Sequence, residues 1–211
     1  MNDGYNSVLD SIGSSSPTPG GGAVAALALS HGIALARMVA ALTVGRDKWA
    51  SGHASAESFL TESHTWTADA LDMAQADCDA FDAVMAAYRL PKEEDKEIVS
   101  ESGLISSVRK EAIRSANYAA AWSPLNIAKF CLKVMDSLSP LASDGNGNAI
   151  TDAGSAAYMV LAATNAAALN VRINLGSLGD ASSDFESEIN QILERVTNSH
   201  AEIIKIVENR M

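Results

Sequence analysis

The chain has 211 residues, 47% of them apolar and only 5% aromatic, enough for one domain whose core needs no disulfide staple. Its 15 Lys and Arg against 26 Asp and Glu leave a net charge of −11, a field that repels nucleic-acid phosphates and anionic membranes and excludes both as expected partners. Alanine, leucine and methionine carry the apolar load while β-branched and aromatic residues are scarce, which favours an all-α fold over a sheet.

Tyr5, Val8, Leu9 and Ile12 predict a short helix over residues 5–12. A Ser/Pro loop from Gly13 to Pro19 leads to Gly20-Gly21-Gly22, which open an apolar helix reaching about Thr43. Residues 22–44 are long and apolar enough to cross a bilayer. His31 and Arg37 fall inside that stretch and no second candidate follows, so the expectation is a buried central helix with His31 as a hydrogen-bonded interior residue. A long helix is expected from about Ser55 to Arg89, ended by Pro91, and another over 93–121. Ser123-Pro124 marks a kink or a fresh start before a helix to about Leu141. Turn formers fill Ser143 to Ala149, and Thr151 or Asp152 caps a helix to about Asn174. Gly176 and Gly179 break the chain. Phe185, Ile189, Ile192, Val196, Ile203 and Val207 form the stripe of a last helix, Ser182 to Asn209. No segment alternates as a strand does, and no linker or repeat divides the chain, so residues 1–211 are expected as one domain.

Residues Met1 to Tyr5 lack the basic and apolar parts of a secretion signal. Cys78 and Cys131 share no motif spacing. The expectation is a cytoplasmic chain with both thiols reduced.

Three groups of residues carry candidate chemistry. Along the long helix, Trp66, Ala70, Met73, Phe81, Val84 and Tyr88 step by three and four except for one gap, which Asp77 fills. A carboxylate on an apolar face is costly unless paired, and burial lifts its pKa toward the range useful for acid–base work. The same pattern fits a buried ion pair or a stripe rotated to expose Asp77. Pro19, Gly20, Gly21 and Gly22 stand where a helix mouth offers free N–H groups and close backbone approach; a tight helix crossing would use them equally well. The segment matches neither a P-loop nor a Gly-x-Gly-x-x-Gly turn. Asn170 and Asn174, four apart, could pair a heterocycle or bridge helices. Asp152 reads as a helix cap. Arg46 and Lys92 follow helix ends, where they favour the dipole or could meet an anionic substrate. No Cys, His and carboxylate cluster has metal-ligand spacing, so no metal is expected.

Pro17-Thr18-Pro19-Gly20-Gly21-Gly22-Ala23-Val24-Ala25-Ala26, running to Leu42-Thr43-Val44-Gly45-Arg46, resembles the folate cyclodeaminase/cyclohydrolase family. Matches continue in order with Asp77-x-Asp79-Ala80-Phe81, Leu90-Pro91-Lys92, Ser123-Pro124-Leu125, Gly145-Asn146, Thr151-Asp152 and Asn170-Val171-x-Ile173-Asn174-Leu175, over nearly the whole chain. Thr151 departs from the usual Ser, Ser123 from the usual Val and Trp49 from Tyr or Phe, and the usual Asn-Thr after Lys92 is missing.

The resemblance implies a bundle of about five or six helices with a long central pair, forming a homodimer with a folate cleft near its interface. It implies a tetrahydrofolate derivative as substrate, no permanently bound cofactor, and Asp77 as the catalytic residue. Two reactions are implied: hydrolysis of methenyltetrahydrofolate, or cyclisation of formiminotetrahydrofolate with loss of ammonia. The absence of an attached formiminotransferase domain leans the expectation toward the hydrolase, with a separate formiminotransferase as a possible partner. The rival expectation is an inactive folate-binding or helical scaffold protein.

Overall fold

The computed structural model describes residues 4–92, 98–99 and 105–211. Among them are seven α-helices: α1 (Tyr5–Ile12), α2 (Gly21–Thr43), α3 (His53–Glu62), α4 (Trp66–Arg89), α5 (Val108–Asp144), α6 (Ile150–Asn174) and α7 (Ser182–Arg210). Among the described residues, the one pairing of extended chain joins Ile98–Val99 antiparallel to Ile105–Ser106, a contact too short to change the all-α class.

Helix α2 lies at the centre, packed on α6 and α4. It is long and apolar enough to cross a membrane, but 56% of that window is buried inside the bundle. Small residues allow the close approach: a Cβ on Gly32 would meet the Ala156 carbonyl at 3.1 Å. The C-terminal end of α2 is closed by the turn after α5, where Asn146 donates from Nδ2 to the Leu42 carbonyl at 2.8 Å and from its backbone N–H to Thr43 Oγ1 at 2.9 Å. This explains part of the Leu42-Thr43 and Gly145-Asn146 motifs as structure, since carbonyls at a helix end need partners.

Several boundaries differ from the sequence expectation. The helix expected over Ser55 to Arg89 is two helices, broken at Ser63–Thr65. No Gly or Pro marks the break. Arg37 of α2 holds it by donating to Ser63 Oγ at 2.7 Å and to the Leu60 carbonyl at 3.3 Å, so a side chain distant in sequence terminates α3. The helix expected over 93–121 begins at Val108, capped by Ser107; residues 93–97 and 100–104 lie outside the described residues. Asp152 caps nothing: α6 starts at Ile150 with no side-chain cap bond, and Asp152 sits half-buried in its first turn. His31 is exposed rather than interior, although hydrogen-bonded to the Leu27 carbonyl and near Tyr5 Oη. The stripe of α7 is buried at all six expected positions.

The largest surprise is α5, which runs unbroken through Pro124. Proline has no N–H, so the carbonyl four residues back loses its helical partner. That carbonyl belongs to Ala120, and Asn174 of α6 donates to it from Nδ2 at 3.0 Å. The bond repairs the defect from outside the helix and ties the end of α6 to the middle of α5. Asn174→Ala should therefore cost about 1–3 kcal/mol by orphaning a carbonyl. Pro124→Ala, which restores the helical N–H, should remove most of that cost, and a double-mutant cycle by urea denaturation measures it.

Candidate functional site

Helix α4 buries Trp66, Ala70 and Ala74 on one face, and the next step along that face is Asp77. Its carboxylate meets the mouth of α2. A Cβ built on Gly22 would overlap both Asp77 oxygens, so a larger residue there displaces this carboxylate from the helix mouth. The neighbouring Gly21 lies against Asn170, with a Cβ there 3.1 Å from Nδ2. Pro19, after a cis Thr18–Pro19 bond, and Gly20 lead into this turn, and Gly20 supplies no side-chain cap to α2.

Burial pushes the Asp77 carboxyl above its ordinary pKa, and the Ser123 hydroxyl and the Ala23 backbone N–H act against that rise by favouring the charged form. Among the described residues no cation contributes. This is the signature of a carboxyl held by desolvation and neutral donors, and among the described residues the buried-salt-bridge reading finds no cationic partner. Cys78 beside it is also pushed up, by burial and then by the charges of Asp77, Asp79 and Asp82, which keeps its thiol protonated and unsuited to nucleophilic attack.

Asp77, Phe81, Val84, Ala120, Asn170 and Asn174 line a cavity of about 120 Å³. Both asparagines turn their amide nitrogens to backbone carbonyls: Asn170 to Ala166 at 2.9 Å, and Asn174 to Asn170 at 2.8 Å and to Ala120. Among the described residues no donor engages either Oδ1. With the carboxylate, these oxygens make the cavity a set of hydrogen-bond acceptors, suited to a ligand rich in N–H groups or carrying positive charge. These stretches of α4 and α6 carry exposed apolar side chains: Leu169 66% and Ile173 80% on α6, and Phe81, Met85 and Tyr88 on α4. The expected α4 stripe is thus buried only toward its N-terminal end. A larger cavity of about 500 Å³, between α1 and α2 near Leu71 and Met159, contains no carboxylate.

The remaining sequence candidates lie elsewhere in the chain. Arg46 is exposed past the far end of α2, roughly 35 Å from the glycine turn at 1.5 Å rise per residue. Asp152 is at the opposite end of α6 from Asn170, about 27 Å away on the same count. Lys92 is exposed beyond α4, about 20 Å past Asp77. One chain therefore brings together the glycine turn, Asp77, Asn170 and Asn174, and leaves Arg46, Lys92 and Asp152 apart. Ser123 is the residue the sequence did not single out as functional: a hydroxyl on a half-buried helix position carries no pattern of its own.

Gly22→Ala should drive Asp77 out of position and lower any activity that depends on it by about 100-fold or more, although alanine is the better helix former. Gly21→Ala, meeting only a movable side-chain amide, should cost roughly tenfold or less. Steady-state rates of the two variants, with circular dichroism to confirm folding, check the order.

The family model for formiminotransferase-cyclodeaminase matches residues 5–195. A methenyltetrahydrofolate cyclohydrolase from Methylorubrum extorquens is 37% identical over 179 residues, covering 85% of this chain and 82% of that protein. The formimidoyltransferase-cyclodeaminase of Gallus gallus is 28% identical over 94% of this chain, which spans 36% of that longer protein. A crystal structure of formiminotetrahydrofolate cyclodeaminase from Thermotoga maritima superposes with a TM-score of 0.83 at 25% identity, covering 97% of this chain and 95% of that one. An all-α chain whose glycine turn and carboxylate meet at one cavity thus matches these proteins through nearly its full length, and it belongs to the formiminotransferase-cyclodeaminase family.

Proposed function

We propose that this chain is a folate one-carbon enzyme that hydrolyses methenyltetrahydrofolate, with Asp77 as its acid–base residue. The observation that carries the reading is the half-buried Asp77 carboxyl, free of any cationic partner among the described residues and opening on a cavity of acceptors. The methenyl group is an amidinium-like cation. A desolvated carboxylate attracts that charge more strongly than a hydrated one. It also takes a proton from the water that attacks the methenyl carbon. The C–O bond forms as one water proton passes to Asp77; ring opening then breaks one C–N bond as the remaining hydroxyl proton moves to the departing nitrogen and the oxygen becomes the formyl carbonyl. The product is formyltetrahydrofolate. The acceptor oxygens of Asn170 and Asn174 suit the N–H edge of a pterin, and the glycine turn lets the ring approach the backbone.

The likeness to the Methylorubrum extorquens cyclohydrolase over 85% of this chain supports the hydrolytic reaction. The second reading is formiminotetrahydrofolate cyclodeamination, favoured by the likeness to the Thermotoga maritima structure. There a ring-side nitrogen attacks the formimino carbon, ammonia leaves, and the same carboxyl moves the proton; a separate formiminotransferase would then supply the substrate.

A cavity of about 120 Å³ is well below the ~300–1,000 Å³ that encloses most small ligands. A whole folate must extend past it over the exposed apolar surface of α4 and α6. A homodimer that covers this surface completes the cleft. Arg46, Lys92 and Asp152 reach the folate only where its tail runs far from Asp77 or where the second subunit brings its own copies; Arg46 and Lys92 then suit the anionic glutamate tail.

With purified protein, loss of methenyltetrahydrofolate absorbance without ammonia is the expected result, and ammonia release from formiminotetrahydrofolate establishes the second reading. Binding without either turnover establishes the scaffold reading. Asp77→Asn should abolish turnover at least 100-fold, as removal of an acid–base group does. The same variant should melt at a higher temperature than the parent at pH 7. Because the folded pKa of Asp77 is raised, the stability tied to it is present below the ordinary value of 3.8 and lost as pH rises through the folded value. The neutral amide escapes that loss, so the advantage should shrink as the pH falls toward 3.8 in a pH series of thermal melts.

A further inference from the structure

Helix α5 contains two prolines, and their surroundings differ. Each leaves the carbonyl four residues back without its helical N–H and crowds that carbonyl outward. Pro140 is exposed, and so is Asp136 four residues before it, where water satisfies the carbonyl; among the described residues no side chain donates to it. Pro124 is buried. Its freed carbonyl, on Ala120, accepts from Asn174 Nδ2 at 3.0 Å. The same nitrogen donates at 2.8 Å to the Asn170 carbonyl, one turn back on α6. Both partners are acceptors, so they settle which end of the amide is nitrogen. Two bonds, one to each helix, also fix the amide plane. Oδ1 is then the polar atom the side chain has left for a ligand, and Asn174 lines the cavity together with Asp77, Ala120 and Asn170.

We propose that Pro124 is a positioning residue for substrate binding: by denying the Ala120 carbonyl a helical partner, it holds the Asn174 amide with Oδ1 ready to accept from a pterin N–H. The inference rests on this cavity being the folate site. Without the bond to Ala120, Asn174 keeps only the bond to its own helix, and one bond leaves the amide free to swing about it. Asn170 has one such anchor, the Ala166 carbonyl at 2.9 Å, and Gly21 lies close against its amide nitrogen. An alanine at 124 would supply the missing N–H and draw the Ala120 carbonyl back into the helical ladder. That carbonyl has a second lone pair, but a carbonyl aligned with the helix axis is a poorer partner for α6. The amide then loses its fixed plane, and the ligand must order it on arrival. The cost falls on binding, because an acceptor facing a pterin N–H is used alike before and during the reaction.

The test is steady-state kinetics with methenyltetrahydrofolate, with circular dichroism to confirm that each variant is folded. Asn174→Ala should raise KM about tenfold and Pro124→Ala about threefold, each with kcat within about twofold of the parent, as loss or loosening of one hydrogen bond to the bound ligand does. The double variant should match Asn174→Ala alone, because the proline acts only through that amide. Pro140→Ala should leave KM where it is. Placing the α-hydroxy analogue of alanine at 124, an ester link that carries no N–H, should restore the parent's KM. If Pro124→Ala keeps the parent's KM, if it raises KM equally in the Asn174→Ala background, or if the ester analogue is as impaired as alanine, the positioning role is overturned, while an inactive Asp77→Asn leaves the reading of the site standing. If Asp77→Asn turns over normally, that reading falls, and this inference with it.

Discussion

Everything at this site depends on the contact between a carboxylate and a missing methyl group. Asp77 can approach the first turn of α2 because position 22 has no Cβ. That approach takes the carboxyl out of bulk water and places it beside a backbone N–H at the positive end of a long helix. Desolvation raises the energy of the charged form, while the helix mouth and Ser123 lower it again. The balance leaves a carboxyl above its ordinary pKa. An arginine in place of either neutral donor would have favoured the charged form far more strongly.

The bundle around this contact is built to keep helix axes close. Alanine and glycine on α2 and α6 permit it, as where Gly32 lies against the Ala156 carbonyl. One cluster of rings fills the place where α3, α4 and α5 meet, with Phe59 and Phe130 each edge-on to Trp66 at 5.7 Å between centroids. Small residues let α2 and α6 pack closely inside, while Leu169, Ile173, Phe81, Met85 and Tyr88 stay exposed on α4 and α6, available for a ligand or a second subunit.

Sequence reasoning reached furthest where one segment carried its own signal. The six-residue stripe of α7 is legible because a single face repeats at helical spacing. Asp77 was legible as an interruption in such a stripe, and the glycine turn as a helix mouth. What escaped were features made by residues far apart in the chain. The break between α3 and α4 depends on Arg37 reaching across from α2. The continuity of α5 depends on Asn174 reaching in from α6. Ser123 stood out only as a departure from a family pattern, and its meaning comes from the carboxyl across the helix pair. Arg46 and Asp152 belonged to recognisable motifs, yet helix length separates them from Asp77 within one chain, a distance that motif order does not express.

Pro124, one of two prolines within α5, has a consequence for how such chains can change. Pro124 and Asn174 are 50 residues apart in number but share one carbonyl, so the fate of each constrains the other. A lineage that replaced the proline would gain an ordinary helical bond and release the amide from its duty. The asparagine could then drift, and with it the aim of an oxygen that faces the cavity. Local regularity and the orientation of a distant side chain are in opposition at this point, and a small flaw in one helix keeps the geometry of another under selection.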